Sequence, residues 1–142
     1  MILIAHRGNT TGPNPLLENT VNYIEDAIKK GYDVEIDVWV KDNKIFLGHD
    51  EPIHEISLNF LNKWKEKLWC HSKNLNALEF LIENNIHTFS HENDDYVLTS
   101  KGFIWAFVGK KLSKSTICVM PERANYDFIE CLGICSDFVS NF

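Results

Sequence analysis

Glu35 and Asp37 stand two residues apart in the run Asp33-Val34-Glu35-Ile36-Asp37-Val38-Trp39-Val40. In an extended strand, residues i and i+2 point to the same side. Val34, Ile36, Val38 and Val40 then face one way, and Asp33, Glu35, Asp37 and Trp39 the other. Two carboxylates aimed into one space repel each other unless a cation lies between them. A hard divalent ion such as Mg²⁺ or Ca²⁺ suits such a pair. The plainer alternative is a solvent-facing strand edge that carries two acids. His6 and His49 form a second pair. Imidazole titrates near neutral pH, so one histidine can take a proton from an attacking oxygen while the other protonates a leaving alkoxide. Either one alone reads equally well as a loop or capping residue. Arg7, beside His6, offers a planar fork matched to phosphate oxygens, or else a surface salt bridge.

Composition narrows the classes. The 142 residues suit one domain, 1–142, with one core. A hydrophobic share of 44% with 24% charged residues is the balance of a folded chain, not a disordered one. The formal net charge of −6 argues against a broad grip on nucleic acid or an anionic membrane. A phosphate ester in a local pocket stays open, because a metal and a few placed cations can reverse the field there. No apolar run approaches the ~20 residues of a membrane span. Met1-Ile2-Leu3-Ile4-Ala5 is too short for a signal segment and follows no basic stretch. Cys70, Cys118, Cys131 and Cys135 make no C-x-x-C pair and read as reduced, mostly buried thiols. These features lead to the expectation of a cytoplasmic protein.

The elements that must position these residues alternate. An apolar strand over 2–5 ends at His6-Arg7-Gly8, and a capped helix over 20–30 follows, with Val21, Ile24, Ala27 and Ile28 on one face. The strand over 33–40 turns at Lys41-Asp42-Asn43-Lys44 into a return strand that ends at Gly48-His49-Asp50. Ser57 caps a second helix, 68–70 is a strand, and 74–84 is a third helix. Strands are expected at 86–89, 103–108, 116–120 and 133–135, with helices scarce after Asn85. Strands alternating with helices imply a largely parallel sheet, which gathers its chemistry at the carboxyl ends of its strands. His6, Arg7, Glu35, Asp37, His49, His71, Lys73 and His91 all fall there.

His6-Arg7-Gly8, Glu18-Asn19-Thr20, the segment from Gly31 to Val38 and Gly48-His49-Asp50 occur in the order and spacing of one family. Over its first third the chain resembles the glycerophosphodiester phosphodiesterases, relatives of phosphatidylinositol-specific phospholipase C. Leu132-Gly133-Ile134-Cys135-Ser136-Asp137 looks like that family's closing strand. The resemblance implies a hydrolase that cleaves a small glycerophosphodiester-like substrate. His6 and His49 would be its acid–base pair, Arg7 and Lys73 its phosphate holders, and Glu35 and Asp37 its metal ligands. Glu18, Asn19 and Asp50 would orient these groups. It also implies a reduced TIM-type (β/α) barrel with mostly parallel strands and few helices in the C-terminal half, since a full barrel takes ~250 residues.

One departure bears on the metal. Where the family carries a third carboxylate, this chain has His71 in Cys70-His71-Ser72-Lys73. His71 is either a ligand, shifting preference from Ca²⁺ toward Mn²⁺, or a substrate contact. His91 and Trp105 are further pocket candidates, and Glu122 and Arg123 carry less weight. Asp137 is expected to fix the last loop. Apolar outer surface left without helices would favour a homodimer. The competing readings are a lyase that releases a cyclic phosphate and a non-catalytic barrel that binds a phosphate or phosphosugar.

Overall fold

The computed structural model describes residues 1–126 and 130–142. Alternating apolar residues and turn chemistry build its first half. Strand β1 (Ile2–His6) leads through a long loop to helix α1 (Val21–Lys29), which buries Ile24, Ala27 and Ile28. Strand β2 (Asp33–Lys41) returns as β3 (Lys44–Leu47) across Asp42-Asn43, both at positive φ, the conformation a two-residue hairpin turn demands. Strand β4 (His54–Ile56) extends this hairpin. Ser57 caps α2 (Leu58–Trp64) by accepting the Phe60 N–H. Strand β5 (Leu68–Ser72) then leads to α3 (Leu75–Glu83). Asn74 caps α3 through the Ala77 N–H and also bonds both the N–H and the C=O of Val40, tying the helix start to the edge of β2. The second half is strands and loops: β6 (Thr88–Phe89), β7 (Tyr96–Leu98), β8 (Ile104–Ala106), β9 (Thr116–Val119) and β10 (Gly133–Ser136). No helix among the described residues is long and apolar enough to cross a membrane.

The expected TIM-type barrel is not formed. The ten strands among the described residues make one mixed sheet, ordered β4-β3-β2-β1-β10-β9-β8-β7, and β5 pairs with the other edge of β2 and carries β6. The β1, β2, β5, β6, β8, β9 and β10 pairings are parallel, whereas β2–β3, β3–β4 and β7–β8 are antiparallel. The sheet curls into a half-barrel with three short α-helices among the described residues. The reason is chain length. A parallel crossover through a helix takes about 30 residues, and the β2–β3–β4 and β7–β8 hairpins use residues that further crossovers would need. β4 and β7, short strands not expected from the sequence, are those hairpin edges.

Each face of the curl has its own core. Val34, Ile36 and Val38 of β2 point outward against Ile24, Ala27, Leu81 and their neighbours from α1 and α3. On the inner face Ile4, Trp69, Phe89, Trp105, Ile117 and Val119 pack together at the base of the concavity. The odd-numbered residues of β2 face this inner side, above the aromatic base.

His87 lies behind that base. It is 3% exposed, its ring centroid is 4.4 Å from that of Trp69, and its Nε2 is 2.8 Å from Thr99 Oγ1. Burial, helped by nearby Lys101, pulls its pKa from 6.5 down to about 4. The unfolded chain therefore binds a proton between those values that the folded chain refuses. Stability from neutral His87 is complete above pH 6.5 and is lost as pH falls toward 4. At about 1.4 kcal/mol per pH unit the loss reaches about 3 kcal/mol. His6 and His91, also lowered by burial, contribute with the same sign as pH falls below 6.5. Comparing urea unfolding of the wild type and His87→Gln from pH 7 to 4 isolates the His87 share. The variant should show a shallower loss, and parallel curves would contradict this account.

Candidate functional site

Register brings the chemistry together. In the parallel pairing of β1 with β2, His6 lies beside Glu35, and in that of β2 with β5, Asp37 lies beside His71. All four are at inward positions, His6 and His71 near the ends of their strands and Glu35 and Asp37 in the first part and the middle of β2. Glu35 and Asp37 are 3% and 1% exposed. One ligating atom each from Glu35, Asp37 and His71 lies within 4.8 Å of the others. His71 Nδ1 is 3.3 Å from Asp37 Oδ1 and 3.9 Å from Glu35 Oε1. Glu35 Oε2 and Asp37 Oδ1 are buried and accept no hydrogen bond. Burial, with the Asp37 charge beside it, pushes the Glu35 carboxyl well above its ordinary range. Burial opposes ionisation of Asp37 as well, but His71, Arg7 and Asn19 outweigh it and hold Asp37 low. Two buried acids without enough compensating charge split in this way. A divalent ion would ionise both and satisfy the two bare oxygens, so the donor set fits a metal. Two carboxylates and one imidazole suit Mn²⁺ at least as well as Mg²⁺ and better than Ca²⁺.

Cations flank the acids. Arg7 holds a left-handed backbone (φ 54°), its N–H donating to Glu35 O and its C=O accepting from Asn19. A residue other than glycine at such a φ is strained and must be held by its surroundings. Its Nη1 donates to Glu18 Oε2, and its Nε lies 3.1 Å from Asp37 Oδ2 without the alignment of a hydrogen bond. Lys73 Nζ is 3.7 Å from Asp37 Oδ1. Asn19 clasps Asp37, donating to Oδ2 and accepting the Asp37 N–H. Gly8 and Gly48 are steric necessities. A Cβ on Gly8 (φ +91°) would lie 2.8 Å from the Tyr23 ring, and one on Gly48 would strike the Glu51 carbonyl.

His6 is oriented from behind. Its Nδ1 is 2.7 Å from Asp137 Oδ1, and Asp137 also accepts from Asn9 Nδ2 and Arg123 Nη2. These partners overcome burial and keep Asp137 ionised. A carboxylate only accepts, so His6 Nδ1 carries the proton and the Nε2 lone pair stays bare, 3.8 Å from Glu35 Oε2. Burial, stronger than the opposing pull of Asp137, holds the His6 pKa below 6.5. His49 is 45% exposed at the rim, its Nδ1 2.8 Å from Asp50 Oδ1.

A cavity of about 350 Å³ unites these groups: His6, Arg7, Glu35, Asp37, His49, His71 and Lys73 all line it. His91 and Trp105, the further pocket candidates, line it as well. Glu18 and Asn19 stand behind the cavity wall, and Asp50 reaches it only through His49. Sequence reasoning missed the role of Asp137. It read the residue as a loop fixture, whereas Asp137 follows β10 and pairs with His6 because β10 adjoins β1. Asn9 was missed entirely, and Arg123, given little weight, lines the cavity. Only the strand order would have revealed them.

No family model, no curated protein and no solved structure matches the chain.

Mn²⁺ should raise the melting temperature of the wild type, since a ligand bound only by the folded state adds about 2.7 kcal/mol at a hundred times its Kd. Glu35→Gln and Asp37→Asn should abolish that rise in a thermal scan. Without metal, Glu35→Gln should be no less stable than wild type, because it relieves a buried acid pair. An Mn²⁺ response surviving in both variants would refute the site.

Proposed function

We propose that this chain is a divalent-metal-dependent phosphodiesterase acting on a small, glycerophosphodiester-like substrate. The observation that carries this reading is the meeting of two imidazoles, two buried acids and two phosphate-matched cations around one cavity. The motif order that resembles the glycerophosphodiester phosphodiesterases supports it independently. A module that only binds phosphate has no need of an imidazole whose tautomer is set by a buried carboxylate.

Each residue then has a task. Arg7 and Lys73 hold the non-bridging phosphate oxygens by charge-assisted hydrogen bonds. His6, with its Nδ1 proton engaged by Asp137 and Nε2 bare, takes the proton of the attacking oxygen at Nε2. Asp137 stabilises the imidazolium that forms and keeps the ring in place. His49, with its Nδ1 2.8 Å from Asp50 Oδ1, gives a proton to the leaving alkoxide from the open rim. Glu35, Asp37 and His71 would hold the metal, which, when bound, polarises the phosphoryl group. Where the substrate carries a hydroxyl next to the phosphate, that hydroxyl is the attacking oxygen and a cyclic phosphate is the first product.

His6→Ala and His49→Ala should each lower kcat on bis(4-nitrophenyl) phosphate by about 10²–10⁴-fold, the usual share of one proton-transfer group, with circular dichroism unchanged. Phosphorus NMR of a glycerophosphodiester reaction distinguishes an open monoester from a lasting cyclic ester and so separates hydrolase from lyase. Full activity in the double histidine variant would overturn the mechanism.

A further inference from the structure

The cavity is lopsided in a way that phosphate chemistry does not require. Strands β1, β2 and β5 supply its charged wall. The segments at and beyond β6, β8 and β9 supply Phe89, His91, Phe107, Val108, Val119 and Met120, with Glu92 and Arg123 as the charged members of that side. The rings of His71, Phe89 and His91 lie nearly parallel: His71 is 6° from Phe89 and 14° from His91, at centroid distances of 5.3 and 4.7 Å. Phe107 stands edge-on to His91 at 6.0 Å and 65°. Phe89, Val119 and Met120 also belong to the inner core, and Val108 packs against it. Phe107 belongs to neither core cluster, is only half-buried, and still lines the cavity. A large aromatic side chain placed at a cavity wall without a packing role points to a ligand.

The other side of the site differs. Arg7 and His49 also line a second cavity of about 300 Å³, whose further walls include Glu18, Asp50, Glu51 and His54. A phosphate held at Arg7 therefore has an aromatic recess on one side and an acidic, polar one on the other. An acidic wall suits an alcohol rich in hydroxyls or carrying a positive charge, and an aromatic wall suits a flat apolar one.

We infer that the substrate is an unsymmetrical diester, one of whose alcohols carries a flat, uncharged ring seated against Phe107, Phe89 and His91. The inference rests on the phosphodiesterase reading for the word diester, but its test does not require turnover. Calorimetry with three monoester probes reads it: inorganic phosphate, glycerol 3-phosphate and phenyl phosphate. Phenyl phosphate should bind about tenfold more tightly than glycerol 3-phosphate, an aromatic contact plus its burial. Phe107→Ala should erase that gap and leave the affinity for inorganic phosphate unchanged. Equal affinity for the two organic probes in the wild type, or a gap that persists in Phe107→Ala, would overturn the inference. Ring preference without cleavage of any diester would sink the phosphodiesterase reading and leave the ring subsite standing. Cleavage without ring preference would do the reverse.

Discussion

Two acids on one face of β2, turned inward and almost wholly removed from water, set the terms for everything around them. Ionised carboxylates lose hydration on burial, and a second one nearby adds repulsion. The chain offsets this in several ways at once. Arg7 and Lys73 bring permanent positive charge to Asp37, Asn19 supplies it with hydrogen bonds, and Glu35 retreats toward its protonated form. Even so, one oxygen of each acid accepts no hydrogen bond. A fold tends to replace such a pair with apolar residues when only stability is at stake. Its presence among strands otherwise lined by isoleucine, tryptophan and phenylalanine is what the proposed metal site accounts for.

The architecture follows from that demand. β2 sits between β1 and β5, so histidines from both neighbours reach the acids by register alone. β10 on the far side of β1 adds Asp137, and the turn after β9 adds Arg123. Among the described residues, α1 and α3 cover the outer face of the sheet at β2, β5 and β6. Backbone strain collects at the same spot: Arg7 and Asn19 both hold positive φ, and each shares a backbone hydrogen bond with the other. The helix-backed side of the half-barrel thus carries most of the charged groups, while the strands joined by loops contribute the aromatic wall together with Glu92, Arg123 and Asp137.

Most of the first half was legible in the sequence because its signals are local. Alternation revealed which residues of β2 face inward, Asn and Ser marked the helix starts, and glycines marked the sharp turns after β1 and β3. The charged cluster was legible for the same reason: the spacing of Glu35 and Asp37 puts both on one face of β2, and His6 and His71 lie at or near strand ends. The barrel was not. Closure is a property of the whole strand set, and the short hairpins that redirect β4 and β7 have weak local signals, Tyr96-Val97-Leu98 with its two exposed ends among them. Asp137 was misjudged because its partner lies 131 residues away. The Phe107 wall was missed because an aromatic residue after a strand looks in sequence like any other core residue.

The account stands or falls on whether a cation resides between Glu35 and Asp37. Crystals grown with Mn²⁺ and measured at the manganese absorption edge test this directly. An anomalous peak bounded by the carboxylates of Glu35 and Asp37, with His71 alongside, is the expected result. Anomalous density confined to surface acids, with the Lys73 ammonium seated between the two carboxylates instead, would contradict it.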